Sequence, residues 1–368
     1  MYSFFYSLFW FIIVITPIVF IHELGHFYFA RLFGVQVEVF SIGFCKPLFK
    51  WKDKKGTTWQ IGAIPLGGYV KMFGDENASS VPDQDKIDSL SDEEKQKSFH
   101  FKKLWQRFLI VFAGPFANYL LSFIVIATLF IIYGNVNITN EVVGVVDNSP
   151  AYHAGIKSGD IIVQLDDNKI ENFDDLKRAI SLNTGTVVKL GIVREDNFLD
   201  INIIPEIREF KDLTGNNVKM PQLGLKFEHM VFVKTGVVES FILAIKKIYN
   251  MSVMMIKAIV QMITGQRGTE DLGGPIKIAQ YSVKFAEQGA ASIFLFVAMI
   301  SLNLGLVNLL PIPMLDGGHL FYYVIEGIIR RPINQKIQAI GFKLGFALLM
   351  VLMAFAIWND IKNVLFFK

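Results

Sequence analysis

Residues 4–26 read FFYSLFWFIIVITPIVFIHELGH, and this stretch decides the fold. From Phe4 to Ile21 it is almost wholly apolar, most of the roughly 20 residues that a bilayer-crossing helix needs. It ends on His22-Glu23-Leu24-Gly25-His26. Histidines four apart on a helix lie one turn apart near one face, so both imidazoles reach a single ion. The H-E-x-x-H spacing suits a tetrahedral zinc, with the glutamate placed to take a proton from a water that the ion activates. Ionisable side chains inside a bilayer are costly and mark function. The pattern therefore predicts hydrolysis within the membrane by His22, His26 and Glu23.

Working outward, three more apolar segments follow: Phe108 to Tyr133, Ala290 to Leu310 and Leu344 to Trp358. With 52% hydrophobic residues and a mean hydropathy of +0.41, the 368-residue chain is expected to be a polytopic α-helical membrane protein of about four spans. A net charge of +3 gives no sign of a nucleic-acid partner, and the single cysteine, Cys45, rules out an intrachain disulfide. No Lys or Arg precedes Arg31 and no small-residue cleavage site precedes the motif, so the first segment is expected to be retained and not cleaved as a signal peptide. Pro17 is expected to kink it.

Basic residues near span ends set orientation. Arg31, Lys102, Lys103 and Arg107 flank one short loop, and Arg330, Arg331 and Lys336 another, whereas 134–150 has none. Both short loops read as cytoplasmic, and the N-terminus, 134–289 and the C-terminus as external, against the weaker signal of Lys362 and Lys368. The expected divisions are 1–133 (first half of the membrane core), 134–206 (a soluble domain), 207–289 (a following segment) and 290–368 (second half of the core).

Within 134–206, strands are expected at Glu141–Val146, Ile161–Leu165, Val187–Val193 and Phe198–Ile204, and a helix capped by Asn172-Phe173-Asp174-Asp175. The run Ser149-Pro150-Ala151 through Gly155, Gly159, Asp160 and Ile161 resembles a PDZ domain of the bacterial protease type, a fold that binds extended peptides at a sheet edge. In 237–263 the polar residues Glu239, Lys246, Asn250, Lys257 and Gln261 share one stripe, which predicts an amphipathic helix at the outer membrane interface and not a fifth span. Residues 75–97 read as a solvated loop.

A metal held by His22 and His26 needs a third protein ligand. Among His100, His153, His229, His319 and the acids, Asp316 is the best placed. It follows a span broken by Pro311 and Pro313, at the same expected cytoplasmic depth as the first pair. The alternatives are an N-cap role for Asp316, with His319 as the ligand.

H-E-x-x-H together with Asn308-Leu309-Leu310-Pro311-Ile312-Pro313-Met314-Leu315-Asp316-Gly317-Gly318 resembles the site-2 protease family of intramembrane metalloproteases. Ser41 to Phe44, Ile64 to Met72 and Ala113-Gly114-Pro115-Phe116-Ala117-Asn118 are similar to its regulator-of-sigma-E protease branch, though only one PDZ domain is read where well-known members carry two. The resemblance implies one Zn2+ per chain on His22, His26 and Asp316, with Glu23 as general base and Asn308 holding the substrate backbone. Independently, an extended peptide in a membrane needs hydrogen-bond partners, and an Asn amide offers a donor and an acceptor. The alternating stretch Val35 to Met72 is expected to form a membrane-associated β-hairpin on the cytoplasmic side, whose edge at Gly67, Gly68 and Tyr69 pairs with unwound substrate. Gly114, Pro115 and Asn118 read as helix packing in preference to a gate.

The expected function is cleavage of single-span membrane proteins in a bacterial inner membrane. The resemblance suggests anti-sigma factors and remnant signal peptides as substrates, with a peptide bound by an external PDZ domain. The rival is a non-catalytic, PDZ-bearing membrane scaffold or adaptor. A metal transporter would need more polar residues in its spans.

Overall fold

The computed structural model describes residues 2–75, 89–138, 140–171, 173–181, 183, 185–211, 217–227, 230–265 and 273–366. It divides into two compact units, 1–126 with 274–358 and 127–273 with 359–368.

In the first unit, Tyr2–Leu32 is one helix that continues through Pro17. Leu104–Tyr133, which begins in this unit, Ala290–Asn308 and Gln335–Phe366 are the other long helices. These four are the described helices long and apolar enough to cross a membrane, the last over Gln338–Lys362. Uncharged runs of Leu, Ile, Phe and Val stay helical there because every backbone group is satisfied within the segment. The first and second helices meet closely: a side chain at Gly25 would overlap the Ala113 carbonyl, so small residues set the approach.

Two further elements pack against these helices. Strands Val37–Lys52 and Thr58–Met72 form a bulged hairpin. Phe40, Ser41 and Ile42 each have two partners, Val70, Tyr69 and Gly68 on one side and Trp59, Gln60 and Ile61 on the other. The second strand thus doubles back across the first. Val37, Phe40, Val70 and Met72 are buried with Phe27, Ile110 and Tyr323, whereas Phe44, Leu48, Phe49, Trp51, Ile61 and Ile64 are exposed. Asp53 ties the hairpin to the first helix through Arg31, which also meets Thr57 and lies over the Phe27 ring. Burial works against the charge on Asp53. Hydrogen bonds from Trp59 and Arg31 and from the Thr57 and Lys55 backbone outweigh it and hold the pKa at about 2.

A further helix, Pro275–Glu287, packs against the first and third apolar helices. The stretch expected as a solvated loop lies partly outside the described residues, at 76–88. Its remainder includes a helix, Asp92–Lys97, started by a capping box between Ser91 and Glu94.

The second unit has a four-stranded antiparallel sheet in the order Asn168–Lys169, Ile161–Leu165, Val188–Arg194, Asn197–Ile203, with helix Phe173–Ser181. Its core gathers Val142, Ala151, Ile162, Leu165, Leu176, Leu190 and Ile192. The expected cap residue Asn172 lies outside the described residues. In place of a strand over 141–146, only Gly144–Val145 is extended and paired, with a single bridge from Glu141 to Ile161. The unit also runs past the boundary expected at 206: Leu223 is in the core, Leu225–Lys226 pairs with Gly144–Val145, and Met230–Val233 pairs with Asn135–Ile138. Helix Val237–Ile263 follows, with Val238, Phe241, Ile242, Ile245 and Tyr249 exposed.

Candidate metal centre

The first apolar helix places His22 and His26 with their Nε2 atoms 3.3 Å apart. Asp316 reaches them from the start of helix Asp316–Ile329. The N-cap of that helix is Leu315, so the Asp316 carboxylate is not used as a cap. The loop 309–315 folds back so tightly that a side chain at Gly317 would overlap the Leu310 carbonyl, and one at Gly318 would lie 2.5 Å from the Ile312 carbonyl. The two glycines after Asp316 are what let the chain turn there.

Asp316 Oδ2 lies 3.2 Å from His22 Nε2, and Oδ1 lies 3.5 Å from His26 Nε2. Oδ2 is nevertheless buried without a hydrogen bond. Two imidazole nitrogens and one carboxylate group therefore face one another around a common point. A tetrahedral zinc with bonds of about 2.0–2.1 Å sets its ligand atoms roughly 3.3–3.4 Å apart. The three residues thus fit zinc in chemistry and in spacing, and they are the metal-capable cluster among the described residues.

The surroundings fix the rings. His26 Nδ1 donates to the Ile110 carbonyl at 2.9 Å, leaving its Nε2 bare, and a side chain at Gly114 would overlap that Nε2. His22 Nδ1 faces Asn118 Nδ2 at 3.2 Å. Glu23 is buried, and a Cβ at Gly68 would sit 2.8 Å from its Cγ and 2.7 Å from the Ser41 carbonyl. The hairpin therefore touches the glutamate through a residue without a side chain.

Of the other residues singled out from the sequence, Asn308 puts Nδ2 3.3 Å from His22 Nε2. Gly67 has φ +138°, and the Tyr69 hydroxyl accepts from Gln60 at 2.9 Å. His319 packs at a tilt against the Phe342 ring instead of joining the cluster, and His100 pairs with Asp75 at 2.9 Å. His153 lies in the second unit, and His229 lies outside the described residues.

The family profile of peptidase family M50 matches residues 10–352. The chain belongs to peptidase family M50. A Rickettsia conorii protein named as a zinc metalloprotease is 39% identical over 360 residues, which cover 97% of this chain and 99% of that protein. A similarly named Rhizobium meliloti protein is 37% identical over 96% of this chain and 95% of its own length. Metalloprotease MmpA of Caulobacter vibrioides is 35% identical over 96% of this chain and 95% of its own. This M50 peptidase is a zinc metalloprotease. A solved PDZ domain of an SdrC-like protein from Listeria monocytogenes aligns with 26% of the chain and 88% of itself, at 23% identity and a TM-score of 0.20, too slight to assign the second unit's fold.

Sequence reasoning took Gly114 and Asn118 for helix packing, a role Asn118 does serve, but missed that both also meet the histidines. The available signal was an Asn inside an otherwise uncharged apolar helix, a costly placement. The Ile110 carbonyl is backbone and has no signature at all.

Proposed function

We propose that this M50 peptidase cuts the membrane-spanning segment of single-span proteins inside the bilayer. The observation that carries the reading is the burial of His22 and Glu23 in an apolar helix, with Asp316 brought to them by a second element. In this reading His22, His26 and Asp316 hold one zinc per chain. Zinc, when bound, supplies Lewis-acid chemistry, acidifying water and stabilising charge on the peptide oxygen. The Glu23 carboxylate takes the proton of the attacking water and passes it to the leaving amine. Asn308 offers its amide to the extended substrate backbone, and the strand around Gly67, Gly68 and Tyr69 offers a sheet edge to the same chain. The close fit of Gly68 on Glu23 supports a substrate strand laid beside the base.

The enzyme sits in the bacterial inner membrane with the centre toward the cytoplasm. The second unit acts as an external PDZ-type module that docks or filters peptide stumps, and helix Val237–Ile263 lies on the outer surface of the lipid. Its run of exposed apolar side chains supports that placement. Substrates of the anti-sigma-factor type, already trimmed outside, and remnant signal peptides have the required single span.

The test is purification in detergent, zinc analysis and incubation with a single-span substrate beside Glu23→Gln. Cleavage by wild type alone, with zinc in both, is expected. Zinc without cleavage of any trimmed or untrimmed single-span substrate would favour a scaffold.

A further inference from the structure

Asn118 is buried in the second apolar helix, and its placement is rigid. Its backbone carbonyl lies 2.9 Å from the Ser122 hydroxyl and 3.0 Å from that of Ser301, so the second and third apolar helices are pinned at this residue. Gly305 packs against its Cβ, where an added side chain would come within 3.2 Å. One end of its amide faces His22 Nδ1 at 3.2 Å, and the other, Oδ1, is buried with no partner. A buried amide oxygen without a donor is costly, about 1–3 kcal/mol.

The amide has two settings, related by a half-turn of the side chain. With the NH2 toward His22, Nδ1 must be the bare nitrogen and Nε2 carries the hydrogen. With Oδ1 toward His22, Nδ1 carries the hydrogen and donates it, and Nε2 is bare toward Asp316 and His26. Only the second makes Nε2 a metal ligand. His26 already stands in the corresponding state, because its Nδ1 faces a carbonyl that can only accept.

We infer that Asn118 is a positioning residue that selects the tautomer of His22, its Oδ1 accepting from Nδ1 when metal is held. It thereby does for His22 what the Ile110 carbonyl does for His26. The two second-helix groups, one side chain and one backbone, between them prepare both histidines. This rests on the reading of His22 as a ligand.

The experiment is zinc affinity by chelator competition on the full chain in detergent, for wild type, His22→Ala, Asn118→Ala and Asn118→Asp. Zinc held by wild type and lost from His22→Ala secures the underlying reading; equal affinity in the two would sink that reading separately. Asn118→Ala is expected to bind zinc about 10–100-fold more weakly, the usual cost of losing a group that orients a ligand. Asn118→Asp, which presents an acceptor in the same place, is expected to bind within a few-fold of wild type. Unchanged affinity in Asn118→Ala overturns the inference. So does an Asn118→Asp affinity as weak as that of the alanine variant, since packing alone would then explain both. If the alanine variant does not fold, Asn118→Leu, which fills the same space and offers no acceptor, takes its place in the comparison.

Discussion

The His26 imidazole occupies the space that a side chain at Gly114 would need: a Cβ on that glycine would overlap Nε2, the atom that faces Asp316. Helix packing between the first and second apolar helices and the geometry of the centre are therefore set by the same contact. Gly114→Ala is expected to displace the ring and weaken zinc by about 10–100-fold, with the protein still folded. Zinc analysis after dialysis, alongside circular dichroism, checks this. Full zinc occupancy would show that the ring can shift without cost.

Gly68→Ala should separate the two halves of the chemistry. The three nearest contacts of its Cβ would be the Ser41 carbonyl, Glu23 Cγ and Val19 Cγ1, at 2.7, 2.8 and 2.9 Å. Zinc content is expected to stay at the wild-type value while kcat falls about 10²-fold or more, the range ascribed to a lost general base. Loss of zinc together with activity would argue that the hairpin supports the whole centre.

The pair Arg107–Glu326 joins the second apolar helix to the helix that begins at Asp316, at 2.9 Å, and Glu326 is buried. Arg107→Met leaves that carboxylate without its countercharge, with only the Ile333 N–H still donating to its other oxygen at 3.2 Å, and is expected to cost about 3–5 kcal/mol. Adding Glu326→Leu should recover much of the loss. Thermal unfolding in detergent measures both, and failure of the double variant to recover would place the importance of Arg107 elsewhere, for example in its contact with the Tyr323 ring.

In the second unit, Asp160 is bound by the Arg194 guanidinium through Nε and Nη2, at 2.7 and 2.6 Å. Burial favours the neutral acid, but hydrogen bonds from Arg194 and the Lys157 backbone, with the nearby positive charges, hold the pKa below the usual carboxylate range. A depressed carboxylate stabilises the fold above its unfolded pKa, about 3.9, and that contribution is lost as pH falls through the folded value. Asp160→Asn is expected to cost about 1–2 kcal/mol at neutral pH, with the gap from wild type closing below about pH 4. A gap that stayed constant from pH 7 to pH 3 would contradict the assignment.

Much of this was legible in the chain. Four apolar runs give four long helices because composition alone decides that state, and the four-residue spacing of His22 and His26 brings their rings together because helical periodicity is local. Asp316 was legible through Pro311, Pro313 and the glycine pair, which force a turn. The doubled pairing of Phe40–Ile42 was not, since each bulge shifts the alternation that a strand is read from. Nor was the extension of the second unit past 206, which depends on Leu225–Lys226 returning to Gly144–Val145 across about 80 residues, a separation that no local pattern records.

Asp316 is synthesised about 290 residues after His22, a delay of roughly 15–60 s at ordinary rates of translation. Until the ribosome has passed that point, the first helix holds two histidines and a glutamate without the aspartate that joins them. On the proposed ligand set, a nascent copy therefore lacks a complete metal centre for most of its synthesis. On that reading the order of residues along the chain acts as a zymogen would, with completion of the polypeptide taking the place of an activating cut.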